Sequence, residues 1–183
     1  MSSFDEKDDF DRRSFTRRMV PKVLVRHLDE EKDRIFRGMQ KRKRRETEGK
    51  NGPWAESAED WMVRQVYQVV RQLIRLGHVE IVAQAIDKSG GRRKGRYDIE
   101  DQPFKLALFF IFGSSMVPTI RSPLSRNRRH LLGDALAYAD RHNVPSKYLN
   151  GFIKQAGLKQ CRKKLEDPLH REPGFKLDRG RKS

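Results

Sequence analysis

The sequence predicts a mainly α-helical protein: a compact helical domain with basic mobile tails and at most one short strand near its N-terminus. Three observations carry this. Glu56–Ile86 repeats apolar residues with the 3.6-residue period of an amphipathic helix. Ser125–His142 and Pro145–Ala156 repeat the pattern. Residues that start and stop helices bound these stretches, among them Ser57 with Asp60, Gly77, Pro103 and Pro145.

Taken in order, Met1–Phe15 mixes acids with Phe4, Phe10 and Phe15 at no useful period and reads as a mobile arm. In Lys22–Leu28, after Pro21, the β-branched residues suggest a short strand with polar residues at 22 and 26. Asp29, Glu30 and Glu31 would then open a helix, with Ile35, Phe36 and Met39 on its buried side. The competing reading is one long helix from Leu24 onward, Lys-rich and partly exposed. Glu46–Pro53 has the Gly, Asn and Pro content of a linker.

The central helix follows, with Met62, Val66, Val69 and Leu73 on one face and Val63, Val70 and Ile74 widening it. A second, short helix fits Val79–Lys88 and ends at Gly90-Gly91. Gly90–Tyr97 reads as a flexible basic loop. Phe104–Phe112 is the most hydrophobic run; its length also suits a buried strand, but the flanking signals favour a buried helix. Leu132, Ala135, Leu136 and Ala139 face inward on the next helix, and Tyr148, Leu149, Phe152 and Ile153 on the one after it. Cys161 reads as a small buried residue. The organisation is therefore a mobile arm (1–19), a basic strand/helix segment (20–46), a helical core (47–165) and a tail (166–183).

Composition narrows the chemistry. The chain has 183 residues and a formal net charge of +16. Its pI is about 10.3 and its mean hydropathy −0.88. An excess of this size asks for a polyanion or an anionic surface. A lone cysteine allows no intrachain disulfide and no cysteine-based zinc site, which fits a reducing, cytoplasmic or nuclear compartment. No apolar run is long enough to span a membrane, and the polar, acidic N-terminus is not a secretory signal. The histidines are scattered without metal-binding spacing, so no cofactor is expected.

Basic residues fall in clusters: Lys22 and Arg26; Lys41, Arg42, Lys43, Arg44 and Arg45; Arg92, Arg93, Lys94 and Arg96; and Arg126, Arg128 and Arg129. The last group lies in a helix's first turn, where the macrodipole opposes it. An anion would compensate it; so would nearby acids such as Asp98, Glu100 or Asp101. Gly90–Tyr97 lacks the spacing of a nucleotide-binding loop, but its cations could follow a nucleic-acid backbone. The function expected is non-enzymatic nucleic-acid binding, as a DNA-binding accessory or regulatory protein. Few aromatics are available for stacking, which favours duplex DNA over RNA. The alternatives are an RNA-binding or nucleocapsid-type protein, or a protein that docks on an acidic partner or membrane surface.

The basic strand, the acidic helix start and the second helix beginning Ser57-Ala58-Glu59-Asp60-Trp61 together resemble the ribbon-helix-helix DNA-binding family. The resemblance implies a homodimer paired through Val20–Leu28, with Lys22, Leu24 and Arg26, or the opposite phase, facing bases. It also implies a phosphate at the helix start near Ser57. The chain departs from the family at Lys32, where members carry an apolar residue, and in the long connection Arg45–Ala55. Gly113-Ser114-Ser115-Met116-Val117-Pro118-Thr119 resembles the serine box of the signal peptidase family, which would make Ser115 a nucleophile. The resemblance ends there: the lysine base would have to come from Lys147 or Lys154, both solvent-facing on an amphipathic helix.

Overall fold

A computed structural model describes residues 19–52, 55–88, 102–112 and 124–173. Among these residues there are seven α-helices, one 3-10 turn and no strand.

Helix α1 runs from Pro21 to Thr47. It replaces both the strand expected at Lys22–Leu28 and the helix expected to open at Asp29. Pro21 occupies the first turn, where its fixed φ suits a helix and its missing N–H costs nothing. Leu24, Leu28, Ile35 and Met39 form one buried stripe that runs unbroken past the acids. Burying that stripe outweighs the local β preference of Val23 and Val25. Val20–Leu28 holds no strand to pair with a second chain, so the expected route to a dimer lacks its structural element there. Nor is there a strand phase to turn Lys22 and Arg26 toward bases. Glu31, buried on the inner face, accepts two hydrogen bonds from Arg34, and Arg34 also donates to Gln65 on the next helix at 2.9 Å.

Helix α2, Ala58–Leu76, is the centre of the fold and packs on α1 and on every later helix introduced below except α3 and α7. Its start is capped twice. The Ser57 hydroxyl accepts from the Asp60 amide at 3.0 Å, and the Glu46 carboxylate of α1 accepts from the Ala58 amide. Residues 46–47, expected in a linker, thus belong to α1. Gly77 ends α2 at φ +73°, a left-handed conformation that suits glycine.

Helix α3, Ile81–Lys88, covers α1 and α4. Helix α4, Pro103–Phe112, is apolar almost all round because α2, α3 and α5 surround it. Its Lys105 pairs with the buried Asp134 of α5 at 2.6 Å. Helix α5, Arg126–Arg141, starts at the Ser125 cap and buries Leu132, Ala135, Leu136 and Ala139 as its period predicts. A 3-10 turn, Ser146–Tyr148, then leads into α6, Leu149–Ala156. Tyr148, expected inward, is exposed because the tighter turn rotates it away from the Leu149–Phe152 face. Helix α7, Cys161–Glu166, buries Cys161.

The segment 167–173, expected in the tail, packs back on α5 and α7. The Tyr138 hydroxyl donates to the buried Glu172 carboxylate at 3.0 Å, and Lys164 donates to the same oxygen at 2.8 Å. That hydroxyl has one hydrogen, so His170 Nδ1, at 2.7 Å, is a donor to it. His142 donates from Nδ1 to the Tyr138 carbonyl and accepts the Glu172 amide at Nε2, which fixes it as the neutral Nδ1–H tautomer.

Two expected outcomes test this packing. A Cβ at Gly38 would lie 2.2 Å from the Trp61 ring. Gly38→Ala should therefore lower unfolding free energy by about 1–3 kcal/mol through overpacking. Helix propensity alone would raise it by about 1 kcal/mol, so the sign of the shift in urea midpoint separates the two. For Glu172, burial alone would raise the carboxyl pKa. Hydrogen bonds from Lys164 and Tyr138 and the Lys164 charge outweigh it and hold the group below the usual carboxylate range. A depressed folded pKa stabilises above the unfolded value and is lost as pH falls through the folded value. Stability should thus drop on acidification below about pH 4, and Glu172→Gln should be weaker at neutral pH with a flatter acid limb in urea titrations.

Candidate nucleic-acid interface

Ion pairing divides the basic residues into two groups. Several cations of the helical core have an acid partner: Arg64 with Glu56, Arg71 with Asp140, Lys105 with Asp134, Lys164 with Glu172 and Lys88 with Asp29. Arg26 lies 3.8 Å from Glu30, one turn along α1. The Arg126, Arg128 and Arg129 group is mostly engaged as well. Arg128 pairs with Glu59 of α2 at 2.6 Å. Arg129 donates to the Phe112 carbonyl at the end of α4 at 3.0 Å. Glu59 and backbone carbonyls meet the arginines at this helix start; Asp98, Glu100 and Asp101, the acids anticipated there, lie outside the described residues. Arg126 stays exposed beside them.

The end of α1 differs. Lys41, Lys43, Arg44 and Arg45 are exposed, and their side chains meet no acid among the described residues. Arg37, one turn earlier, is exposed and bonds only the Asp33 carbonyl of its own helix, at 3.2 Å. Arg37, Lys41, Arg44 and Arg45 follow the i, i+4, i+7, i+8 rule and lie along one outer ridge. Arg42 points the other way: its guanidinium stacks on the Trp61 ring of α2 at 4.4 Å. The pentad Lys41–Arg45 is therefore four cations facing solvent and one holding two helices together.

Lys22 and Arg26 share the outer face of α1 but do not join this group. Asp29, Glu30 and Asp33 lie between, and Arg26 is about 16 Å of helix axis from Arg37. Sequence reasoning missed Arg37; its signal was the four-residue spacing to Lys41, visible only once the helix is known to run unbroken to Thr47. Arg92, Arg93, Lys94 and Arg96, and the Ser115 segment, lie outside the described residues.

Burial pushes the Cys161 thiol up to about 11, away from the reactive thiolate. His130 is held below its ordinary value by burial and by the neighbouring cations Lys105 and Arg126. Among the described residues no cluster of histidine, cysteine and carboxylates could hold a metal ion, and no helix is long and apolar enough to cross a membrane.

Compared with known proteins, the chain matches no family model, no curated protein and no solved structure.

Stability should separate the two roles in the pentad. Arg42→Gln should cost about 0.5–2 kcal/mol through lost stacking on Trp61. Replacing Lys41, Lys43, Arg44 and Arg45 together by Gln should change stability little, since lost attraction to the helix C-terminus, about 0.3–1 kcal/mol each at most, is offset by relieved repulsion. Thermal unfolding of both variants at low salt checks this.

Proposed function

We propose that the protein binds nucleic acid without catalysis, as a duplex-DNA-binding accessory or regulatory protein. The observation that carries the reading is the outer ridge at the end of α1. There Arg37, Lys41, Arg44 and Arg45 line one face, with Lys43 exposed beside them, and Lys41, Lys43, Arg44 and Arg45 meet no acid among the described residues, whereas the cations inside the fold are paired. Like charges this close repel one another, and phosphates along a strand relieve that repulsion.

The position also says how binding would work. A helix C-terminus carries the negative end of the macrodipole, so backbone amides do not draw a phosphate here. Attraction comes from the side chains alone, and flexible side chains read backbone charge rather than base edges. Weak sequence preference follows. Of the described aromatic residues only Tyr148 is exposed, so bases of a single strand have little to stack on, and this favours a duplex.

Salt titration tests the proposal. If the four cations each meet one phosphate, they alone contribute a slope of about −3.6 in log K against log salt on duplex DNA. Replacing the four by Gln should make the slope shallower by about that amount and weaken binding similarly across sequences. A slope unchanged by the replacement would place any binding elsewhere. Tighter binding to single strands or RNA would overturn the duplex preference. Flat salt dependence would overturn the nucleic-acid reading and favour an acidic protein or membrane surface.

A further inference from the structure

A second polar surface, unrelated to the end of α1, lies where the C-terminal half of α2 faces the α5–α6 connection. Gln68, Arg71, Gln72 and Arg75 follow one another at helical spacing along α2, and Asn143 and Ser146 face them. Between them is a cleft of about 470 Å³, within the range of small-molecule sites.

Its walls are held in place. Tyr67 and Arg71 both donate to the buried Val144 carbonyl, at 2.8 and 2.7 Å. Arg71 Nε lies 2.7 Å from Asp140, and an Nη of Arg71 reaches Asn143 Oδ1 at 3.4 Å. Arg71 is 8% exposed, so its guanidinium is fixed before any ligand arrives. Its hydrogen bonds use one hydrogen on each Nη, which leaves a second hydrogen on each Nη; Nε is ion-paired with Asp140 without a hydrogen bond. The Ser146 hydroxyl accepts from Gln68 Nε2 at 2.9 Å and keeps its own hydrogen to donate.

The cleft is rich in donors and carries excess positive charge. Asp140 neutralises Arg71 but does not line the cleft, whereas Arg75 lines it, is exposed and meets no acid among the described residues. Among its acceptors, Gln68 Oε1 is buried and without a partner. A buried carbonyl in that state costs stability until a donor reaches it. A solvated helix face explains Arg75 but not the buried Gln68 carbonyl or the pre-ordered Arg71. A ligand that meets all three has an oxyanion at one end and an N–H or O–H donor at the other.

We infer that this cleft binds a phosphate-bearing molecule of nucleotide size, its phosphate on Arg75 and Arg71 and its organic part donating to Gln68. The phosphate could belong to a free mononucleotide or to the terminus of a nucleic-acid strand, and the chemistry at the cleft is the same. The inference does not rest on the reading of the α1 ridge.

The test uses the full chain, its amide NMR spectrum and calorimetry, with AMP, adenosine and inorganic phosphate as probes. AMP should shift the amides of Gln68, Asn143 and Ser146 and bind more tightly than either adenosine or phosphate alone. Arg75→Gln, which removes no internal contact, should weaken AMP by about tenfold or more, as loss of a charge-assisted bond does. Gln replacement of Lys41, Lys43, Arg44 and Arg45 should leave AMP binding unchanged. A 5′-phosphorylated oligonucleotide that shifts these amides through Arg75, where its unphosphorylated form and AMP do not, would support the site and assign the phosphate to a strand end. No response at millimolar AMP or phosphate and none to the phosphorylated oligonucleotide would overturn the inference. So would AMP binding equal in Arg75→Gln, or lost with the α1 replacements.

Discussion

The architecture depends on how a guanidinium is accommodated on the central helix. Helix α2 touches most of its neighbours, yet Arg71 sits on it almost fully buried. A buried charge of this kind persists only with an opposite charge and hydrogen-bond acceptors around it. Asp140 supplies the charge from the end of α5, and the Val144 carbonyl supplies an acceptor from the loop that follows. Tyr67 shares that carbonyl, and its phenol is pushed above its ordinary range chiefly by burial, with Arg71 pulling the other way. Satisfying one side chain therefore fixes the end of α5, the loop through Asn143 at φ +52°, and the start of α6.

A similar economy governs the other charges inside the fold. Glu31, Asp134 and Glu172 are buried carboxylates, and each is met by a cation on its own or a neighbouring element. Pairs of this kind add little net stability over an apolar packing, but removing one partner strands the other at a cost of about 3–5 kcal/mol. They act as register marks between helices. The exposed cations at the end of α1 stand outside this pairing: Lys41, Lys43, Arg44 and Arg45 meet no acid among the described residues.

The fold was legible in the sequence wherever one face of a helix is apolar and its ends carry caps. The Ser57 cap, the Gly77 stop, the buried α4 and the inward residues of α5 all lie where period and capping place them. The start of α1 was not legible as a helix, because Val23 and Val25 favour a strand locally and the decisive term is burial against α2 and α3, which a short window does not contain. Segment 167–173 has no period of its own; a few polar side chains hold it, and Tyr138, one of their partners, lies about thirty residues away. The charged site was half legible. A run of five cations shows that charge is concentrated, but not that Arg42 turns inward to Trp61 while its neighbours face water. Arg128 and Glu59 are 69 residues apart in sequence, so their pairing could not be read from either segment.

The same helix geometry that separates Arg42 from Lys41 also separates the two candidate binding surfaces. The α1 ridge is convex, exposed and built of long side chains free to reorient, which suits a polyanion whose charges recur along its length. The α2 cleft is concave, its key guanidinium is immobilised, and its orphan acceptor asks for a donor at a fixed place, which suits one small ligand in one pose. Charge alone would treat both as basic patches. What distinguishes them is rotamer freedom: the ridge loses it on binding and gains only phosphate neutralisation, while Arg71 has already lost it in folding. On the proposed reading, discrimination among ligands would fall to the cleft and avidity for extended anions to the ridge.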